Sequence, residues 1–266
     1  MEKMPAGTTT HKVVKVVKDS VVTTEDLVVE EVPLTIYLNG QELVTMLCSP
    51  GEERYLVLGF LVSEGMIDGP GDLSQMKLDL DQGLAWVETT VIKPQAGKMF
   101  LKRCLTACCG KGRVGFYYAN DARVTNRVES DLRLTVAEVL SYQVALDGVS
   151  ESFHLTGGVH GGALAAGGRL VRHSQDIGRH NVFDKLYGYC LDNHVATNDK
   201  VIVFTGRVSS EIVLKVSKMS VPVIIARSAP TSLALGLAEE LGITVIGFAR
   251  GDRLNVYTYP ERLSNI

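Results

Sequence analysis

Between Val201 and Phe248 the chain alternates short apolar runs with helical patterns, and this alternation narrows the choice of fold more than any other feature. Val201–Phe204, Val221–Ala226 and Thr244–Phe248 are rich in β-branched residues, as strands buried on both faces must be. Ser209–Ser217 and Thr231–Leu241, which separate them, have helical spacing. Parallel strands need a crossover between them, and a helix is the usual one, so this repetition predicts a parallel sheet layered by helices. Thr156–Arg172 is glycine-rich and apolar and predicts two strands joined at Gly167-Gly168, with a helix to follow over Asn181–Leu191. A helix beginning near Thr135, with Val136, Val139, Leu140, Gln143 and Leu146 at helical spacing, opens this half. The expected fold class is therefore α/β, with an α/β domain over residues 131–266.

The first half reads differently. Residues 1–12 are expected to form a disordered leader, and residues 13–130 a smaller β-rich subdomain with a cysteine loop near its end. Leu34–Leu38 and Glu42–Leu47 flank Asn39-Gly40, a dipeptide that favours a tight hairpin turn. A second hairpin is expected from Met76–Asp81 to Ala85–Val91 around Gln82-Gly83. Between them, Ser49-Pro50-Gly51-Glu52 has the pattern of a capping box with proline at the first helical position. It predicts a helix through about Met66, with Tyr55, Leu58, Gly59 and Val62 on one face.

Charge and polarity exclude some functions. The formal net charge is −3 over 266 residues, whereas a general nucleic-acid binder is usually basic. Aromatic residues make up only 6%, too few for single-strand stacking platforms. The start, Met1-Glu2-Lys3-Met4-Pro5, lacks the apolar core of a signal peptide. The longest apolar run, around Tyr55–Val62, is too short to span a bilayer. A cytoplasmic protein with no membrane partner is expected, in a compartment where clustered cysteines serve metal or sulfur chemistry more than disulfides.

Three turns at strand ends are suited to anions. Gly206-Arg207 ends one strand and opens a helix, Arg227-Ser228 repeats the arrangement, and Phe248-Ala249-Arg250-Gly251-Asp252-Arg253 closes the third strand. Helix N-termini favour negative charge, and guanidinium groups match phosphate oxygens in pairs. Each turn alone could be no more than a cap; three on one sheet edge point to an anionic ligand. Asp176-Ile177-Gly178-Arg179-His180-Asn181 adds donors at another helix start, where Asp176 is expected to cap the helix and Arg179 could pair with Asp184. In Thr156-Gly157-Gly158-Val159-His160, the histidine reads first as a hydrogen-bonded core residue.

The chemically reactive signal is a cluster. Cys104, Cys108 and Cys109 lie among Lys102, Arg103, Lys111 and Arg113 in a glycine-flanked loop. Neighbouring cations favour thiolate over thiol, and a thiolate can attack a sulfur–sulfur bond. Structural zinc needs two spaced ligand pairs, and a second pair is missing because Cys48 and Cys190 are single. Sulfur transfer or redox chemistry is the reading that survives.

Taken in order, Thr156-Gly157-Gly158-Val159-His160, Asp176 to Asn181, Gly206-Arg207-Val208-Ser209, Ser228-Ala229-Pro230-Thr231 and Gly247-Phe248-Ala249-Arg250 resemble the FdhD family of formate dehydrogenase accessory sulfurtransferases. The resemblance implies a cytidine-deaminase-like α/β/α C-terminal domain beside the β-rich subdomain, and a homodimer. It implies that a cysteine desulfurase supplies sulfur and that a persulfide carries it. The acceptor it implies is the molybdenum cofactor bis(molybdopterin guanine dinucleotide), destined for formate dehydrogenase. GDP would mimic the guanine ends of that cargo. The cofactor-binding residues expected are Phe248, Ala249, Arg250, Gly251, Asp252, Arg253, Arg207, Ser228, Arg179 and His180. The family's usual loop is C-x-x-C-G; anchoring on Cys109-Gly110 puts Thr106 at its first position, so Cys109, Cys108 and Cys104, in that order, are the candidate carriers. A non-catalytic cofactor chaperone, whose cysteines grip a partner or a metal, is the alternative. Zinc-dependent deamination is excluded because His160 is followed by Gly161-Gly162 and the chain has no P-C-x-x-C.

Overall fold

The structure, a computed structural model, describes residues 4–91 and 127–264. It begins with a long hairpin, β1 (Thr8–Val17) and β2 (Ser20–Val29), in continuous antiparallel register from Thr8↔Val29 to Val17↔Ser20. Thr8–Lys12 were expected within a disordered leader. They pair instead with Glu25–Val29, because the threonines are β-branched and a complementary strand follows directly.

The next unit is a four-stranded sheet in the order β4-β3-β6-β5. Its strands are β3 (Val32–Leu38), β4 (Gln41–Cys48), β5 (Leu73–Asp79) and β6 (Leu84–Thr89). Asn39 and Gly40 both have positive φ, 51° and 74°, as the tight hairpin turn demands. Helix α1 (Glu53–Ser63) covers the sheet, and Leu56, Leu58 and Leu61 are buried with Leu34, Ile36 and Val87. The expected capping box does not form. Glu52 is the N-cap residue at φ 68° with no side-chain cap bond, and the Ser49 hydroxyl instead accepts from the Ile177 amide at 3.1 Å. A long-range partner has outcompeted the local one, and the helix ends at Ser63 rather than Met66.

Residues 134–264 build a six-stranded sheet in the order β13-β12-β11-β10-β8-β9. The strands are β8 (His160–Ala166), β9 (Arg169–Asp176), β10 (Val201–Phe204), β11 (Val223–Ala226), β12 (Thr244–Arg250) and β13 (Arg253–Val256). A short parallel pair, β7 (Leu134–Thr135) and β14 (Leu263–Ser264), ties the domain's ends together. The sheet is mixed rather than wholly parallel: β10, β11 and β12 run parallel, while β8 and β13 pair antiparallel to their neighbours. Two-residue turns explain the difference. Gly167-Gly168, at φ 57° and 76°, turns β8 into β9, and Gly251 at φ 61° turns β12 into β13; no helix intervenes, so neither pair can be parallel.

Helices cover both faces. Phe183 and Leu186 of α4 (Arg179–Asp192), Ile212 of α5 (Ser210–Lys218) and Leu237 of α6 (Ser232–Leu241) share one core with Ile202, Phe204 and Ile224. Val139, Tyr142 and Leu146 of α2 (Val136–Val149) share another with Ala163, Val203 and Ile225. Alternate residues of one strand thus feed opposite cores. Thr135 closes the α2 N-terminus with a full capping box to Glu138, and the short α3 (Glu151–Thr156) follows. No helix among the described residues is long and apolar enough to cross a membrane.

Candidate functional site

One edge of the six-stranded sheet collects the motifs. The carboxyl ends of β10, β11 and β12 carry Gly206-Arg207, Arg227-Ser228 and Phe248 to Arg250. Because β8 is antiparallel to β10, its first residue, His160, lies at the same edge; β9 pairs with it and brings Asp176 opposite His160. The chain then turns into α4 and delivers Arg179 and His180. Neighbouring strands lie about 4.8 Å apart, so the row from β8 to β12 spans about 14 Å.

Close packing shapes this edge. A Cβ at Gly206 would sit 2.6 Å from the Phe204 ring and 3.3 Å from His160 Nδ1. A Cβ at Gly247 would meet the Tyr257 ring at 3.0 Å and the Ser228 carbonyl at 3.1 Å. The next residue, Phe248, holds φ 52° at the β-bulge between β12 and β13, and its amide donates to the Ser228 carbonyl at 3.2 Å. A non-glycine residue rarely adopts that backbone, and such strain collects at ligand sites.

The charges are arranged in two kinds. Arg207 and Arg250 are exposed, and among the described residues neither guanidinium has a carboxylate or hydrogen-bond partner. Arg227, by contrast, is held by Asp147 at 2.8 Å. His180 is largely buried, 13% exposed, with Nε2 3.1 Å from Glu211 Oε2 of α5; the contact lacks hydrogen-bond alignment and is an ion pair only with a protonated imidazole. Burial pushes the His160 imidazole below its ordinary pKa, the Arg179 and His180 charges push it further, and Asp176 opposes them. The α5 N-cap residue, Ser209, makes no cap bond, and its buried hydroxyl has no partner. The first-turn amides of α5 are thus not capped by it, beside Arg207.

Several expected residues lie along this edge: Arg207, Ser228, Phe248, Ala249 and Arg250, with Gly251, Asp252 and Arg253 at the adjoining turn and Arg179 and His180 at the start of α4. Ala249 is fully buried and can contribute only backbone. His160 belongs to this edge, its ring tilted at 36° to that of Phe204 and 6.1 Å away, although its motif favoured a core role. Asp176 does not provide the expected side-chain cap: Gly178 is the N-cap residue, and Asp176 is paired with Lys185. Asp184 does not pair with Arg179; Ser63 and Lys215 hold it. Cys104, Cys108 and Cys109 lie outside the described residues. Burial pushes the thiols of Cys48 and Cys190 up to about 12, so neither is a nucleophile near neutral pH. Lys185 and Ser49 are the participants that sequence reasoning missed as such, since their partners lie in other elements.

The sequence model of the FdhD/NarQ family matches residues 29–264. This chain belongs to the FdhD/NarQ family. Its relatives include the sulfur carrier protein FdhD of Listeria innocua, 46% identical over 241 residues that cover 90% of this chain and 92% of the relative. The sulfur carrier protein FdhD of Halalkalibacterium halodurans is 44% identical, covering 96% and 94%. Among solved structures, a crystal structure from Desulfotalea psychrophila, of a protein proposed as a formate dehydrogenase accessory protein, superposes with a TM-score of 0.78. It is 27% identical, and the match covers 97% of this chain and 99% of that one. The FdhD/NarQ match includes both the strand-end edge and the cysteine loop.

Proposed function

We propose that this protein is a sulfurtransferase that carries sulfur as a cysteine persulfide to a molybdenum cofactor required by formate dehydrogenase. The observation that carries the reading is the strand-end edge. Arg207 and Arg250, unpaired among the described residues, and the start of α5, which the Ser209 side chain does not cap, form a row about 10 Å long over the ends of β10 to β12. A small anion would need one such group. A row suits an extended ligand with pyrophosphate and nucleoside parts, and bis(molybdopterin guanine dinucleotide) is a cargo of that shape and charge. The sulfur carrier relatives support the transfer chemistry.

In this reading a thiolate of Cys109, Cys108 or Cys104 attacks the outer sulfur of a persulfide on a cysteine desulfurase. The donor's sulfur–sulfur bond breaks, its thiolate leaves, and a new persulfide forms on the loop with no net redox change. That outer sulfur is then delivered to the cargo at the strand-end edge. Helices on both faces of the mixed sheet agree with a cytidine-deaminase-like domain. We place the protein in the cytoplasm as a homodimer.

The test is mass spectrometry after incubation with a cysteine desulfurase and cysteine. A +32 Da adduct, about one sulfur atom, is expected on a loop cysteine and absent from Cys48 and Cys190, which their burial disarms. No adduct on any of the three loop cysteines would leave the non-catalytic chaperone reading in its place.

A further inference from the structure

The buried Asp176–Lys185 pair joins the two halves of the molecule directly behind the strand-end edge. Asp176 is 0% exposed and Lys185 1%. Asp176 Oδ2 forms an ion pair with Lys185 Nζ at 2.7 Å and accepts from the Ser49 amide at 3.1 Å. Its Oδ1 accepts from the Gly178 amide and from Asn181 Nδ2, both at 2.8 Å. The other donors of Lys185 go to the carbonyls of Ser49 at 3.1 Å and Gln175 at 3.2 Å. Each member thus has hydrogen-bond partners besides the ion pair, as a buried pair needs if it is to fix a geometry rather than cost stability.

The bonds hold two things in place. Ser49 follows β4 of the N-terminal sheet, and it returns the link through its hydroxyl, which accepts from the Ile177 amide at 3.1 Å. Asn181 adds a bond to the Leu47 carbonyl at 2.9 Å. On the other side, Gly178 and Asn181 bracket Arg179 and His180, while Asp176 is the register partner of His160. Both side chains of the pair are buried, so neither is open to solvent at that edge.

We infer that Asp176, Lys185 and Ser49 are positioning residues: they set where Arg179, His180 and His160 stand at the ligand edge by clamping that edge to the N-terminal sheet. The inference rests on the proposed function only in placing an anionic nucleotide at this edge. Groups that must meet a ligand within a few tenths of an ångström need such support from behind.

GDP is the probe, and its affinity is measured by calorimetry at 25 °C, well below each variant's melting transition. Ser49→Ala removes the hydroxyl acceptor without touching the edge and is expected to weaken GDP binding about threefold, with Lys185→Met weakening it about tenfold. Ser49→Thr, which keeps the hydroxyl, is expected to restore the affinity; a role confined to stability would lower the melting temperature and leave affinity unchanged. GDP affinity equal to wild type in folded Ser49→Ala and Lys185→Met would overturn the inference. Should Lys185→Met fail to fold, Ser49→Ala and Ser49→Thr decide alone. Wild-type protein that binds no GDP would instead strike at the proposed function.

Discussion

Arg207 and Arg250 are exposed guanidinium groups without a protein partner among the described residues, so they are available to a ligand at little desolvation cost. A hydrogen bond to a charged group contributes about 1.5–3 kcal/mol. Arg207→Ala or Arg250→Ala should therefore weaken GDP binding by about tenfold or more, and isothermal titration checks it. Arg227→Ala is the control, because Asp147 already occupies that guanidinium, and a smaller loss is expected. An equal loss for all three would show that general positive charge, rather than the two free groups, holds the nucleotide.

At the scale of elements, the closest contact is the crossing of α1 and α4. A Cβ at Gly59 would lie 1.8 Å from the Asp184 carbonyl oxygen, and one at Gly188 would lie 1.9 Å from that of Tyr55. Backbone cannot yield as a side chain can, so the helices must separate. Asp184, held by Ser63 of α1 and Lys215 of α5, would be strained in the same movement. Gly59→Ala should cost about 3 kcal/mol, the upper part of the usual overpacking range. Gly236, in α6, has nothing within 4 Å of its Cβ position, and Gly236→Ala should stabilise by about 1 kcal/mol through helix propensity. Urea denaturation of the two variants should show midpoints shifted in opposite directions, and a Gly59→Ala midpoint equal to wild type would contradict the crossing.

The whole molecule couples its stability to pH through two half-buried imidazoles. Burial holds His160 and His173 below the ordinary value of 6.5, with Arg179 and His180 adding to the effect at His160 and Arg172 at His173. The unfolded chain takes up these protons first as pH falls. The stability is therefore fully present above 6.5 and is lost as pH falls through the lower folded values. The melting temperature should drop between pH 7 and pH 5, and a His160→Gln, His173→Gln double variant should drop less. An unchanged slope in the double variant would assign the loss to other groups. Glu138 and Asp192 are not candidates in this window, since their carboxyls are held below the ordinary carboxylate range and titrate at lower pH.

Local signals were enough to read much of this molecule. Short β-branched runs separated by helical spacing located β10, α5, β11, α6 and β12, and turn dipeptides located the hairpins at Asn39-Gly40 and Gly167-Gly168. Strand alternation then implied that Arg207, Ser228 and Arg250 share an edge, because parallel strands end on one side. The cationic surroundings of Cys104, Cys108 and Cys109 make them the candidate carriers, and all three lie outside the described residues. Tertiary structure decided what has no local period. Ser49 was taken from its own helix by Ile177, 128 residues away, and Lys185 found Ser49 at a separation of 136. Arg227 was paired at the strand-end edge by Asp147, 80 residues distant, and His160 was placed on that edge by the antiparallel pairing of β8. Hydrophobic periodicity and turn chemistry are properties of neighbours in the chain. The saturation of a buried charge depends on which elements the packed core brings together.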